Sequence, residues 1–309
     1  MSTAGAVAAG TVHVSLRRQR IDVAGYVFSA ILLLSLLFSL ALLTVLVADQ
    51  LVRGVPVFAE RGTGLLTSPL SSNPAKAGVI QGLIGSALLA SIVALTAFPV
   101  GILTAVYIEE YAPAGRLTRF IDINIRNLAG VPSVVYGLLG LAVFVAVLSK
   151  VGQANGANVI TGGLTLSVLI LPLVIITSAE AIRAVPNAIR EAGYGIGASR
   201  WQVVRKLVLP SATPGILTGT VLALSRALGE TAPLILVGAV LGSFSAGRSL
   251  ADLFTGAYSA LPVIVYDWAR KPQDEFRALT SAAIIVLLLV TVIANGFAIL
   301  LRNRYDRRW

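Results

Sequence analysis

The chemistry in this sequence sits where a polar group is most costly, inside a long apolar run. From Pro214 to Val240 the chain is almost wholly apolar, long enough as a helix to cross a bilayer at about 1.5 Å per residue. Yet the stretch SRALGETAP within it carries Arg226 and Glu230. A charge at the centre of a membrane helix costs about 2.5–3.5 kcal/mol even on insertion scales. The planar fork of an arginine matches a phosphate or carboxylate in two parallel hydrogen bonds, so the chemistry suited to Arg226 is the capture of an oxyanion. Glu230, four residues on, is within helical reach of Arg226 and would keep the arginine from holding an anion too tightly for release. The alternative reading is a structural ion pair that fixes helix register.

On a helical wheel at about 100° per residue, one stripe of this run holds Gly215, Gly219, Leu222, Ala223, Arg226, Gly229, Glu230 and Pro233. The opposite side carries Leu217, Val221, Leu224, Leu228 and Ile235, suited to lipid or to an apolar neighbour helix. Gly215 and Gly219 form a G-x-x-x-G pair that permits close helix packing. The charged stripe is therefore expected to face protein or a water-filled path. Glu180 and Arg183 are the other charges close to an apolar core. Near the end of a span, long side chains can snorkel to the interface.

The elements that position these residues follow from composition. Of the 309 residues 56 % are hydrophobic and 12 % charged, with a mean hydropathy of +0.87, against about one-quarter charged in soluble domains. The chain is an all-α integral membrane protein. Six apolar runs are long enough to span a bilayer: Val23–Ala48, Val79–Tyr107, Leu128–Leu148, Gly162–Ile182, Pro214–Val240 and Leu279–Leu301. The first follows Arg17, Arg18 and Arg20 but is far longer than the core of a signal peptide, so it reads as a retained anchor. Unbroken runs exclude an outer-membrane barrel, whose segments alternate over about ten residues.

If the N-terminus is cytoplasmic, the segments on that side hold 15 Lys and Arg and the outer segments eight. That excess puts both termini on the cytoplasmic side of a cytoplasmic membrane. It also accounts for the net charge of +10 without nucleic acid as a partner, because the basic residues flank apolar runs. The longer outer segments, Asp49–Ala77 and Leu241–Ala278, read as docking or capping loops or as plain connections. No cysteine is present, which removes disulfides and thiolate metal sites; no metal site and no catalytic residue are expected. No G-x-x-x-x-G-K-[ST] loop occurs, so nucleotide chemistry has to come from another chain.

Between the fourth and fifth runs lies EAGYGIGASRWQVVRKLVLP, residues 191–210. Glu191 is expected in the first turn of a short helix and Gly197 at a sharp bend. Ser199 then caps a second short helix carrying Trp201, Val203, Val204 and Leu207, which Pro210 ends. The product is a bent knob on the cytoplasmic surface. Its composition alone would serve equally for an amphipathic helix lying on membrane lipid.

The pattern Glu191-Ala192, Gly197, an aliphatic at Leu207 and Leu209-Pro210 resembles the E-A-A…G…I-x-L-P loop of ABC importer permeases. That resemblance implies insertion of the loop into a groove of an ATP-binding subunit. Gly193 stands where the family has a second alanine and Leu207 where it has isoleucine, and Gly193 is expected to loosen the first helix. AGVPSVVYGLLGL at 129–141, SAEAIRAVPNAIREAGYGIGASRW at 178–201 and RALGETAPLI at 226–235 are similar to the permeases of phosphate-specific importers. Ala232-Pro233 follows the A-type of the two related permeases rather than the C-type.

The resemblance covers residues from about Gly78 onward. It implies a type I ABC importer permease fold with a cytoplasmic coupling helix. The chain would divide into a tail 1–22, a first helix and outer loop 23–77, a transport core 78–301 with its coupling loop at 183–213, and a tail 302–309. It further implies an ATPase dimer that binds ATP and Mg, a second permease of the C-type and an external phosphate-binding protein, with no cofactor on this chain. A C-type permease, a permease for molybdate or sulfate, and a non-conducting subunit for phosphate sensing stay open as alternatives.

Overall fold

The computed structural model describes residues 23–150, 156–239, 254 and 256–305. The expected tail 1–22 and the first half of the second outer segment fall outside them. Every element among the described residues is helical. The first is α1 (Val23–Arg61), followed by a short α2 (Gly64–Thr67), α3 (Ile80–Val106), α4 (Arg116–Ala129), α5 (Ser133–Gly140) and α6 (Ala146–Lys150). Then come α7 (Val159–Arg183), α8 (Asn187–Gly195), α9 (Arg200–Val203), α10 (Leu209–Gly229), α11 (Ala232–Leu236), α12 (Leu261–Ala269) and α13 (Asp274–Tyr305). Three π-helical turns, Tyr107–Tyr111, Leu141–Val145 and Val204–Val208, continue α3, α5 and α9 without a break.

Among the described residues six helical segments are long and apolar enough to cross a membrane: Val23–Arg61, Ile80–Tyr111, Ser133–Lys150, Val159–Arg183, Arg200–Gly229 and Asp274–Phe297. All six expected spans are present, with shifted ends. The first runs past Ala48 to Arg61, so the expected outer loop Asp49–Ala77 is helical over its first half. Residues 23–50 form one unit by themselves, a Leu-rich helix whose side chains are almost all exposed. The second unit is the remainder, and in it Gly54 and Val57 are buried against α13 and its neighbours.

Within that unit α7 is the most buried span, packed along α3 on one side and α10 on the other. Its start is set by Asn158, whose side chain accepts hydrogen bonds from the Ile160 and Thr161 amides while Thr161 accepts from the Asn158 amide. This reciprocal cap satisfies helix-end donors that hydrocarbon cannot. Pro186 closes the other end by disfavouring helical geometry at the residue before it. Spans are also joined by hydroxyl and amide groups: Thr96 meets Ser167 at 2.7 Å between α3 and α7, and Ser225 donates to Asn295 at 2.5 Å between α10 and α13.

The second outer segment is not a surface loop over its described part. Tyr258, Ala260, Leu261, Ile264 and Trp268 are buried, and α12 packs on α13 with Trp268 against Phe276, ring centres 5.8 Å apart. Burial pushes the Tyr258 hydroxyl above its ordinary range. The Leu-Pro-Val-Ile-Val run that α12 begins with has the apolar content for burial; its spacing from the sixth span hid that it folds back inward.

The chain before α12 crosses α3 at closest approach beside Gly85, where an added β-carbon would lie 1.8 Å from the Ser259 carbonyl oxygen. The Ser86 hydroxyl accepts from the Leu261 amide at 2.9 Å at the same crossing. Because the obstacle is backbone, Gly85→Ala is expected to destabilise the protein by about 1–3 kcal/mol, the usual cost of overpacking. A lowered melting temperature of the detergent-solubilised protein, read against Ser91→Ala as control, checks this.

Candidate functional site

α10 shows one exposed stripe, Gly215, Thr218, Leu222, Arg226 and Gly229, and one face buried on α7, including Gly219, Ala223 and Ala227. The expected stripe is therefore split. Gly219 and Ala223, placed with the charges by the wheel, turn into the core. A β-carbon on Gly219 would come within 2.2 Å of Thr177 Oγ1, and one on Gly215 within 2.7 Å of Ala181 Cβ. The two glycines let α10 lie close on α7, which leaves Arg226 on the open side with its side chain 46 % exposed.

Glu230 is not on the helix. α10 ends at Gly229, and Glu230 is extended, with φ −77° and ψ 124°. Pro233 is the physical reason. It has no amide proton to give the carbonyl four residues back, and its ring clashes there, so the helix cannot continue through it. The chain restarts as α11 with Pro233 at its amino end, and Pro233 is likewise off the wheel on which it was placed. Over its described part, 214–239, the expected continuous span Pro214–Val240 is thus a helix, a break and a short second helix.

The break places the charges well. Arg226 lies in the last turn of α10, where a cation complements the negative end of the helix dipole. Its Nε reaches Glu230 Oε1 at 3.4 Å, a loose pair in which Glu230 is the more covered partner, 18 % exposed. A loose, half-open pair leaves guanidinium donors for another anion. An apolar groove of about 310 Å³ opens beside the break, lined by Val134, Thr231, Ala232, Ile235, Leu236 and Tyr266.

At the opposite end of α10 is the bent knob. α8 begins at Asn187, so Glu191 stands beyond its first turn rather than in it. Gly197 has φ +80°, a conformation that L side chains rarely adopt. Ser199 caps α9: its hydroxyl accepts from the Gln202 amide at 3.4 Å, and Gln202 Oε1 accepts from the Ser199 amide at 2.8 Å. Pro210 does not end this helix. It is tolerated in the first turn of α10 directly after the π-turn Val204–Val208, so that Arg200–Gly229 runs as one span.

Gly193 has a packing place within α8. It is buried, and a β-carbon there would meet Leu207 Cδ1 and Val203 Cγ2, both at 2.8 Å, so it lets the two arms of the knob close on one another. Glu191, Ala192, Trp201 and Pro210 are exposed, with Leu207 and Leu209 half-buried behind them. Trp201 at 56 % and Ile196 at 85 % exposure form an apolar tip.

Two carboxylates that sequence reasoning passed over hold the knob. Glu109 and Glu110 lie on the π-turn at the end of α3. Glu110, 5 % exposed, accepts from Arg190 Nε at 3.0 Å and Nη2 at 2.8 Å. Arg190 also donates to the carbonyls of Ile182 and Val185 and to Asn187 Oδ1. Removing one partner of such a buried pair costs about 3–5 kcal/mol. Arg183, exposed at the end of its span, grips Glu109 with Nε and Nη2, and Glu180 is exposed as well. The Arg183 guanidinium and Glu109 also line a cavity of about 540 Å³ with Arg116, Arg119 and Asp122. The available signal was a pair of adjacent acids closing one apolar run and the five basic residues that follow another. Among the described residues no cluster of three or more His, Cys, Asp or Glu occurs that could hold a metal ion.

A β-carbon at Gly197 would have nothing within 4 Å, so Gly197→Ala meets only the backbone cost of a left-handed residue, about 1–2 kcal/mol. Hydrogen exchange of amides 187–209 is expected to quicken about tenfold in that variant, with the spans unchanged. Unaltered exchange there would show that the bend tolerates the methyl.

The model of the family "Binding-protein-dependent transport system inner membrane component" matches residues 97–307, which include both the break and the knob. The phosphate transport system permease protein PstA 1 of Mycobacterium tuberculosis is 34 % identical over 231 residues, 75 % of this chain and 72 % of that protein. PstC of Mesorhizobium japonicum, also a phosphate transport system permease protein, is 30 % identical over 269 residues, 80 % of each chain. A chain of the bacterial alginate ABC transporter, solved in complex with a pentasaccharide-bound periplasmic protein, shares the fold with a TM-score of 0.62 at 17 % identity, over 88 % of this chain and 92 % of that one. With six apolar helices among its described residues, a proline-broken fifth span and a helical knob between the fourth and fifth spans, this chain belongs to the family of binding-protein-dependent transport system inner membrane components and is a multi-pass inner-membrane protein.

Proposed function

We propose that the chain is the A-type permease of an ATP-driven importer of inorganic phosphate. The observation that carries this reading is the half-exposed guanidinium of Arg226, held loosely by Glu230 where the fifth span breaks beside an open groove. An arginine inside a membrane protein that is neither buried nor tightly paired is suited to a transient oxyanion. The 34 % identity to a phosphate permease supports phosphate as that oxyanion.

The partners follow from the same reading. A C-type permease covers the exposed stripe of α10 and completes the path, and an external phosphate-binding protein delivers the anion. An ATPase dimer, which carries the ATP and Mg, seats the tip formed by Trp201 and Ile196. Both termini and the knob are then cytoplasmic, in line with the excess of Lys and Arg there. This chain makes and breaks no covalent bond; it conducts and transmits force. The 30 % identity to a PstC favours a C-type role as the second reading. Co-purification distinguishes the two: an A-type chain is recovered with a C-type partner and not with a second A-type chain.

In proteoliposomes holding the complete complex, Arg226→Gln is expected to lower uptake of labelled phosphate about a hundredfold, the loss of about 3 kcal/mol of charge-assisted hydrogen bonding. ATPase recovery with the complex should be unchanged. Normal phosphate uptake by that variant removes Arg226 from the path, and stronger competition by molybdate or sulfate than by unlabelled phosphate reassigns the substrate. Glu191→Lys is expected to act at the other end, releasing the ATPase in a pull-down while the two permeases stay together.

A further inference from the structure

The knob has two arms, and they are fixed to the membrane helices in different ways. The second arm, α9, is continuous with α10 through the π-turn Val204–Val208. The first arm, α8, is tied elsewhere. Arg190 is its fourth residue, and its guanidinium donates in three directions: to Glu110 at the end of α3, to the Ile182 and Val185 carbonyls that close α7, and to Asn187 at the start of α8. One side chain thus joins the inner ends of two spans to the first arm. The Arg183–Glu109 pair lies beside it and links the same two spans.

Between the arms stands Gly197, with φ +80° and open space around it. An added β-carbon at the bend meets nothing, and the arms are joined on either side of it by Gly193 against Val203 and Leu207, by the Ala198 amide donating to the Gly193 carbonyl, and by a shared core of Ile189, Val203 and Val204. Both the attachment point of the first arm and the start of the fifth span are π-turns, Tyr107–Tyr111 and Val204–Val208, and such turns mark functional positions more often than α-helix does. A buried pair with five donor contacts is stiff, whereas a π-turn and a glycine bend are places where helix geometry can change.

We propose that Glu110 and Arg190 form a clamp that makes α8 one rigid body with α3 and α7, so that a displacement of the knob drives these two spans together while α10, with Arg226, moves against them. Both are positioning residues for transport; neither touches the substrate. The clamp fixes which helices receive the stroke. It rests on the reading of the chain as an ATP-driven permease. Without it, a displacement of the knob would reach α10 through the second arm but would not be passed to α3 and α7.

The test uses the complete complex in proteoliposomes, with phosphate uptake and ATP hydrolysis measured together. Wild-type complex that hydrolyses ATP but moves no phosphate would refute the functional reading itself; the clamp is judged only where the wild type transports. Glu110→Gln keeps the shape and one acceptor but removes the charge. Phosphate moved per ATP hydrolysed is expected to fall about fivefold or more, the lower end of ordinary coupling energies, with the KM for ATP unchanged. A purely structural pair would lower the amount of complex and leave that ratio alone. Arg190→Lys keeps the charge but loses the fork, and the same fall is expected. The exchange Glu110→Arg with Arg190→Glu is expected to restore part of the ratio. An unchanged ratio in assembled Glu110→Gln or Arg190→Lys complex overturns the proposal. Loss of assembly in both variants overturns it as well, because the pair would then hold the fold and not direct the stroke.

Discussion

Hydrocarbon gives no solvation to a charge, so each ionic group among these helices must find a counter-charge, a helix end or water. That constraint organises the charges near the spans. Glu110 and Arg190 meet it by pairing and burial, with backbone carbonyls taking the remaining guanidinium donors. Arg226 meets it incompletely: it has the carboxyl end of α10 and one long contact to Glu230, and nearly half of its side chain is open. The fully satisfied pair is a joint. The partly satisfied one is a place for a visitor.

The two sites sit at opposite ends of α10, and the helix between them is built to be moved as a unit. Gly215 and Gly219 lay it close on α7, with small side chains opposite that offer contact without interlocking. Its upper end stops at Glu230 because Pro233 cannot continue it, and its lower end passes through a π-turn into the knob. The Ser225–Asn295 hydrogen bond ties it to α13 one residue from Arg226, so the position of the guanidinium is set by two spans and not by one.

Much of this was legible in the sequence and some was not, for physical reasons. Span number follows from apolar length alone, which is why six runs became six spanning helices. The bend of the knob followed from Gly197 and the cap from Ser199, since both are local effects of backbone and side-chain geometry. The helical wheel failed past Gly229 because it carries no account of a proline four residues ahead. Pro210 misled in the other direction, as a proline within the first turn of a helix starts it more readily than it ends it. Glu109 and Glu110 were invisible because their meaning depends on arginines 74 and 80 residues away, a distance that no periodicity reports. Gly193 looked like a weak point in a helix and is in fact a contact, which only the approach of Val203 and Leu207 reveals.

The most direct measurement is a cryo-electron microscopy map of the whole complex, trapped with phosphate or arsenate in the lipid bilayer. Oxyanion density within hydrogen-bonding distance of the Arg226 guanidinium, in a wet cavity between this chain and its permease partner, is the expected result. A guanidinium sealed in a dry helix contact, with the anion crossing elsewhere, would contradict a path built on Arg226.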